Sequence, residues 1–163
     1  MKTKNTILIL IANLMCFAFS LRAQTPTFDW AKQMTGSSSE SGTAMAMDSS
    51  GNIYTIGDFY QTVDFNPSEI TFNLSSNGES DIFITKLDKQ GNFLWATQIG
   101  GTSYDFAGNI AVDTIGNVLV GGSFYGTVDL NPGADEQIVT KPGKEAFLLK
   151  LNSDGDFMWA KHW

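Results

Sequence analysis

Tryptophan recurs in this chain at an almost constant interval, and this recurrence constrains the fold more than any other feature. Trp30, Trp95 and Trp159 lie 65 and 64 positions apart, and each opens a similar phrase: Trp-Ala-Lys-Gln, Trp-Ala-Thr-Gln and Trp-Ala-Lys-His. The same offset aligns several longer segments, namely 48–52 with 113–117, 59–67 with 124–132 and, after one deletion, 83–87 with 147–151. A fixed period of this length indicates one structural unit present in two copies.

Each unit contains two short segments in which an Asp or Asn stands three positions before a glycine. Asx side chains cap tight bends, and glycine adopts the positive φ that a short hairpin loop requires. The strands that flank these turns are therefore predicted to be antiparallel neighbours. The four turn glycines are Gly51, Gly91, Gly116 and Gly155.

The segments between the turns are short and rich in β-branched and aromatic residues, a pattern typical of strands. No stretch after the first 23 residues keeps a helical period, so the domain is predicted to be all-β. An insertion at 62–78, with Asn66-Pro67 at its bend, predicts an additional hairpin in each unit. The predicted strands are 43–48, 52–58, 81–87, 92–98, 109–113, 117–123, 145–151 and 156–162.

Adjacent strand positions are apolar on both sides of the chain, as at Ile53 and Tyr54 or Ile82 and Phe83. A sheet with one wet face would alternate apolar and polar residues, so these sheets need cover on both faces. Radially stacked four-stranded antiparallel sheets satisfy that need, which predicts β-propeller blades. The predicted order is an orphan strand at 28–34, blade one at 43–98 and blade two at 109–163.

The tryptophan phrases, the Asp-x-x-Gly-Asn turns, Thr-Val-Asp-Phe-Asn-Pro and Asp-Ile-Phe-Ile-Thr-Lys-Leu at 81–87 together resemble the SBBP β-propeller repeats of exported, Bacteroidetes-like bacterial proteins. The resemblance covers nearly all of residues 28–163 and implies a fold without implying a reaction. Complete propellers have four to eight blades. We therefore expect an N-terminal fragment of an incomplete propeller with two repeats, further blades belonging to the same protein, and no type IX sorting domain within this sequence.

The first 23 residues have the organisation of a secretory signal peptide. Lys2 and Lys4 precede an apolar run at 7–19, and Ala23 offers a small residue for cleavage. The run is shorter than the roughly 20 residues of a membrane-spanning helix. We therefore predict a cleaved signal peptide at 1–23 and a partial propeller at 24–163. The mature protein is predicted to be secreted or located at the cell surface, with no stable membrane span.

Removal of the signal peptide lowers the number of basic side chains from ten to seven against 17 acidic ones, so the net charge falls to near −10. Such a balance excludes a nucleic-acid phosphate backbone as a partner. Cys16 leaves with the signal peptide, which excludes disulfides, cysteine nucleophiles and thiolate metal sites. His162 is the only histidine, so neither a catalytic triad nor a histidine-rich metal site can form. No catalytic, cofactor-binding or metal-binding residue is predicted.

Two acidic loops contain the oxygen-bearing side chains that calcium sites use. One contains Asn152 and Asp154-Gly155-Asp156, and the other contains Asp129, Asn131, Asp135 and Glu136. Ca²⁺ needs six to eight oxygen ligands. The first loop lacks the glutamate that would complete an EF-hand calcium site, so a hairpin turn is the favoured interpretation. For the second loop, solvated surface charge is favoured over a calcium site.

The aromatic residues offer two interpretations. Trp30, Trp95 and Trp159 could form a sugar-stacking stripe, but their fixed place in the repeat favours packing between blades. Tyr60 and Tyr125, beside the insertion, are the better candidates for ligand contact.

Two functional hypotheses follow. The first is a non-catalytic extracellular binding or scaffold module for a protein or glycan ligand. The alternative is a fragment of a pyrroloquinoline-quinone dehydrogenase propeller, because Leu87 to Trp95 loosely resembles the docking phrase of such blades. Its turn is one residue shorter, and the cofactor-binding residues have no counterparts.

Overall fold

The computed structural model describes residues 27–163 and contains only strands and turns there. The predicted signal peptide lies outside the described residues. None of the described residues forms a helix long and apolar enough to cross a membrane. The strands are β1 (Thr35–Gly36), β2 (Glu40–Met47), β3 (Ile53–Asp64), β4 (Asn73–Leu87), β5 (Phe93–Gly101), β6 (Asp105–Val112), β7 (Val118–Asp129), β8 (Ile138–Leu151) and β9 (Phe157–His162).

The strands form two antiparallel sheets of the same topology, a first sheet in the order β2-β3-β4-β5 and a second in the order β6-β7-β8-β9. The last two residues of β5, Gly100 and Gly101, leave the first sheet and pair with Asp129 and Val128 of β7. Strand β1 makes the equivalent pairing with β3. The predicted all-β fold of four-stranded antiparallel units is confirmed.

The tight turns form by the predicted mechanism. At the first one the Asp48 carboxylate accepts hydrogen bonds from the backbone N–H groups of Ser50 and Asn52, each at 2.9 Å. Gly51 has a φ of 85°, the left-handed region that favours glycine. The other three turns repeat this geometry.

The insertion is a hairpin, but its arms continue β3 and β4 instead of forming separate strands. The ladder shifts register between Tyr60 and Thr62, where Gln61 has a φ of 58°. Pairing then resumes and continues to Asp64 and Asn73. The predicted strands are too short here, because a single bulge residue interrupts the alternation of side chains between the two faces without ending the hydrogen-bonded ladder.

The segment 28–34, predicted as an orphan strand, forms no strand, and pairing begins only at Thr35. The residues of β5 that are equivalent to 28–34 pair with β4 of their own sheet. Within residues 27–163, no strand lies beside 28–34 in the way that β4 lies beside β5. Strand-forming sequence alone is therefore insufficient here, because a β-strand needs a hydrogen-bonding neighbour.

The main core lies between the two sheets. Tyr54, Ile56, Ile82 and Ile84 from the first sheet are fully buried, and they belong to the same cluster as Val118, Val120, Leu149 and Leu151 from the second. The opposite side of the first sheet holds a second cluster around Phe59, Phe65 and Phe83. Both sides of the first sheet are thus apolar and covered over part of their area, as the sequence pattern predicts.

One side of the first sheet remains open. Met45 and Met47 of β2 are 72% and 68% exposed, whereas Ile110, which holds the position of Met45 in the second sheet, is 6% exposed. The open side forms a groove of about 780 Å³, bordered by Trp30, Met45, Ile53, Phe83 and Leu87. The second sheet has no such groove because the first sheet covers the corresponding surface.

Candidate functional site

The repeated tryptophans lie at the junctions between successive units. The indole N–H of Trp95 in β5 donates a hydrogen bond to the Ser153 carbonyl oxygen in the β8–β9 turn, at 3.2 Å. Trp30 makes the same bond to Lys89 in the β4–β5 turn, also at 3.2 Å. Trp30, Trp95 and Trp159 are all half-buried. The first two use their rings for contact with the following turn, so they do not form a free stripe for sugar stacking.

A cluster of buried carboxyl groups, Asp58, Asp81 and Asp105, lies where β3, β4 and β6 meet. Asp81 and Asp105 have no exposed surface, and one carboxyl oxygen of each lacks a hydrogen-bond partner among the described residues. Asp58 accepts a hydrogen bond from the backbone N–H of Ala107, which links the two sheets. None of these three residues is among the sites predicted from the sequence, although aspartate within strands is uncommon enough to have indicated them.

The environment of the carboxyl cluster favours the neutral form. Burial raises the pKa of Asp81 to about 6. Burial, together with the neighbouring charges of Asp81 and Asp58, raises the pKa of Asp105 to about 7. Paired carboxyl groups with raised pKa values can perform acid–base chemistry on sugars. A sugar ring cannot reach groups without exposed surface, however, so this cluster suits a structural role.

The two acidic loops use their side chains as caps. The Asn152 side-chain oxygen accepts hydrogen bonds from the N–H groups of Asp154 and Asp156, both at 2.9 Å. In the other loop, Asp129 accepts from the N–H groups of Asn131 and Gln137, again at 2.9 Å. Across residues 27–163, no group of three or more His, Cys, Asp or Glu side chains is arranged to hold a metal ion.

A set of aromatic rings, here called the aromatic patch, comprises the exposed Tyr104 and Tyr125 and the half-buried Phe106. Tyr104 and Phe106 stack at a centroid distance of 6.2 Å and an interplanar angle of 12°, and Tyr125 meets Phe106 edge-on, also at 6.2 Å. Tyr104 is 42% exposed and Tyr125 is 40% exposed. The ammonium group of Lys144 lies 4.7 Å from the centre of the Phe106 ring. The patch therefore offers aromatic surface with a cation over one of its rings.

The first sheet extends the patch on its other side. The Glu79 carboxylate lies close enough to raise the pKa of Tyr104, and the Tyr60 hydroxyl adds a smaller contribution in the same direction. Tyr125, one of the two ligand-contact candidates from the sequence, thus belongs to the patch through Phe106, and Tyr60, the other, lies near enough to act on Tyr104. Tyr104 and Phe106 are not among the residues predicted from the sequence, because an alignment of the repeats shows only the positions that both units share.

The corresponding positions of the first unit show that the fold does not require these aromatic rings. Ser39 stands in place of Tyr104, Ser41 in place of Phe106, and Ser80 in place of Lys144. The backbone is unchanged, since the N–H of Tyr60 donates to the Ser39 carbonyl just as the N–H of Tyr125 donates to that of Tyr104, both at 3.1 Å. A ring that can be replaced by serine without altering the ladder is not needed for packing.

Comparison with known proteins agrees with this architecture. The family model of the SBBP Beta-propeller repeat matches residues 94–123, which run from β5 into β7. An uncharacterized WD repeat-containing protein of Acanthamoeba polyphaga mimivirus is 30% identical over 154 residues, covering 80% of this chain and 11% of that protein. The regulatory protein FlaEY of Caulobacter vibrioides is 24% identical over 127 residues, covering 78% of this chain and 13% of that protein. The chain thus spans a small part of the length of these curated relatives.

Proposed function

Because this chain carries the SBBP β-propeller repeat, we propose that it is a non-catalytic, exported binding and scaffold module whose ligand-contact surface is the aromatic patch. The propeller repeat is a platform, and a function must be argued from a site on it. The proposed export rests on the sequence pattern of residues 1–23.

The observation that supports the binding role most strongly is the difference between the two units. Exposed aromatic rings are enriched at recognition surfaces because they provide contact area with little conformational entropy. Tyr104 exposes such a ring, and the half-buried Phe106 packs beside it, at positions where the first unit has Ser39 and Ser41. The second unit therefore has a surface chemistry that packing alone does not explain.

Two observations support a non-catalytic role. The carboxyl groups with raised pKa values, Asp81 and Asp105, are inaccessible to a substrate. His162 lies exposed at the end of β9.

The quinone-dehydrogenase alternative depends on the phrase from Leu87 to Trp95. In the structure Gly91 of this phrase lies beneath Trp30, and Trp95 reaches the following turn at Ser153. Packing between units accounts for both residues. Quinone absorbance in the purified protein would favour the alternative.

The binding proposal is tested with the full chain immobilised for a glycan array and for protein pull-down. The test variant combines Tyr104→Ser and Phe106→Ser, which installs the residues of the first unit. Ile115→Ser is the matched control, because Ile115 is 78% exposed in the β6–β7 turn. We expect a ligand that is retained by the wild type and the control and lost by the double variant. Equal retention by all three proteins, or no ligand in either assay, would overturn the proposal.

A further inference from the structure

We propose that the aromatic patch binds a neutral saccharide, with the exposed rings of Tyr104 and Tyr125 contacting sugar rings, with Phe106 packing against both tyrosines, and with Glu79 and Lys144 hydrogen-bonding to hydroxyl groups. This inference rests on the proposed binding function and specifies its ligand class.

The size of the patch fits a small ligand. An aromatic side chain has about 150–250 Å² of surface to bury. Tyr104 and Tyr125 are 42% and 40% exposed, so each offers roughly 60–100 Å². A stable protein interface needs about 800 Å² on each partner, several times what these rings provide. One or two sugar rings match the available area.

The ring geometry suits a flat, partly apolar ligand. Tyr104 and Phe106 are within 12° of parallel. Because Lys144 lies over the Phe106 ring, the exposed Tyr104 is the ring of this pair that offers its face to a ligand. A sugar ring has an apolar C–H face and hydroxyl groups around its edge. The C–H face can lie on an aromatic face while the hydroxyl groups point to polar side chains at the border of the patch.

Polar groups with both hydrogen-bonding roles border the rings. The Glu79 carboxylate accepts hydrogen bonds, and the Lys144 ammonium group donates them. The one ion pair within residues 27–163 joins Lys150 and Asp113, at 3.2 Å. Lys144 is exposed, and its ammonium group lies over the Phe106 ring instead of against a carboxylate. Its N–H groups can therefore turn to a ligand.

The negative net charge of the protein favours binding of neutral saccharides over anionic ones. Residues 27–163 contain seven basic and 17 acidic side chains. The resulting negative potential repels a polyanion such as a polyuronate, especially at low ionic strength. A neutral saccharide experiences no such repulsion.

The test is native gel electrophoresis of the full chain in gels that contain a neutral polysaccharide (mixed-linkage β-glucan, xylan or galactomannan) or an anionic one (alginate or polygalacturonate). We expect retardation by at least one neutral polysaccharide for the wild type and for Ile115→Ser. The double variant Tyr104→Ser/Phe106→Ser should bind at least about tenfold more weakly, equivalent to about 1.4 kcal/mol. Thermal unfolding checks that the variants are folded, and Tyr125→Ser provides a second, independent variant.

The failures of the two proposals are distinguishable. A protein partner lost by the double variant, without retardation by any neutral polysaccharide, would reject the saccharide and leave the binding module standing. Retardation by the anionic polysaccharides alone would also reject the neutral saccharide. Binding of neither proteins nor saccharides would overturn both proposals.

Discussion

Gly155 lies directly against the indole ring of Trp95, so closely that a Cβ atom on Gly155 would be 3.2 Å from Cδ2 of the ring. Trp30 and Gly91 have the same relationship in the preceding unit, at 3.0 Å. The tryptophan of one unit and the turn glycine of the next are therefore a matched pair. The 65-residue spacing in the sequence reflects this contact between units.

Gly155→Ala is expected to destabilise the protein for two reasons. The φ of Gly155 is 90°, which strains any residue with a Cβ atom, and the methyl group presses on the Trp95 ring. We expect a loss of about 1–3 kcal/mol in the free energy of unfolding, measured by urea denaturation. Gly143→Ala is the control, since a Cβ there has no atom within 4 Å. An equal loss in both variants would show that the Trp95 contact and the φ angle are unimportant.

Stability should fall as the pH rises from about 4 to about 7. The pKa of Asp81 rises to about 6 and that of Asp105 to about 7 from a usual value of 3.8, so the folded state binds these protons more tightly than the unfolded chain. The groups that face Asp105 are the acids Asp58 and Asp81, which offer it no compensating positive charge. Thermal unfolding across this pH range measures the effect.

Below pH 4 the trend should reverse. Hydrogen bonds from Asn117, followed by further donors including Lys150, lower the pKa of Asp113 to about 2, so its stabilisation is lost as the pH falls towards that value. The stability maximum is therefore expected between about pH 4 and 5. Asp105→Asn removes the carboxyl group whose pKa is raised to about 7 and should flatten the decline above pH 5. An unchanged decline in this variant would contradict the assignment.

The same substitution should have opposite outcomes at equivalent positions of the two sheets. Met45→Glu places a charge on the open side of the first sheet and should change stability by less than about 0.5 kcal/mol. Ile110→Glu buries an unpaired charge between the sheets and should cost about 3–5 kcal/mol. Thermal unfolding compares the two, and similar losses would show that the groove beside Met45 is not open in solution.

Export is testable in a bacterial host. Cleavage after Ala23 should give a secreted protein that begins at Gln24, identified by intact mass. Leu10→Arg should block export because it puts a charge in the apolar run, whereas Thr25→Arg should not. A full-length product outside the cell would contradict cleavage.

The repeat and turn chemistry made most of the fold predictable. Gly51 and Asp48 specify a tight turn through local backbone geometry, which depends on a few neighbouring residues. The strand ends beyond Gln61 and the unpaired segment 28–34 were not predictable in the same way. Both depend on whether a neighbouring strand is present to accept hydrogen bonds.

The candidate site was only partly predictable. Tyr60 and Tyr125 stood out beside the insertion, but Tyr104 and Phe106 did not, because a search for periodicity draws attention to what the units share. The carboxyl cluster of Asp58, Asp81 and Asp105 was missed since its members lie far apart in the chain and meet only where the two sheets pack.

The sequence by itself determined the spacing of Trp30, Trp95 and Trp159, the turn positions and the apolar character of both sheet sides, because each arises from local geometry or strand periodicity. Only the tertiary structure decided that Trp95 contacts Gly155 of the following unit, that Asp81 and Asp105 are buried near Asp58, and that Phe106 joins Tyr104 to Tyr125. These relationships depend on how one sheet lies on the next, and that packing joins residues whose separation along the chain carries no local signal.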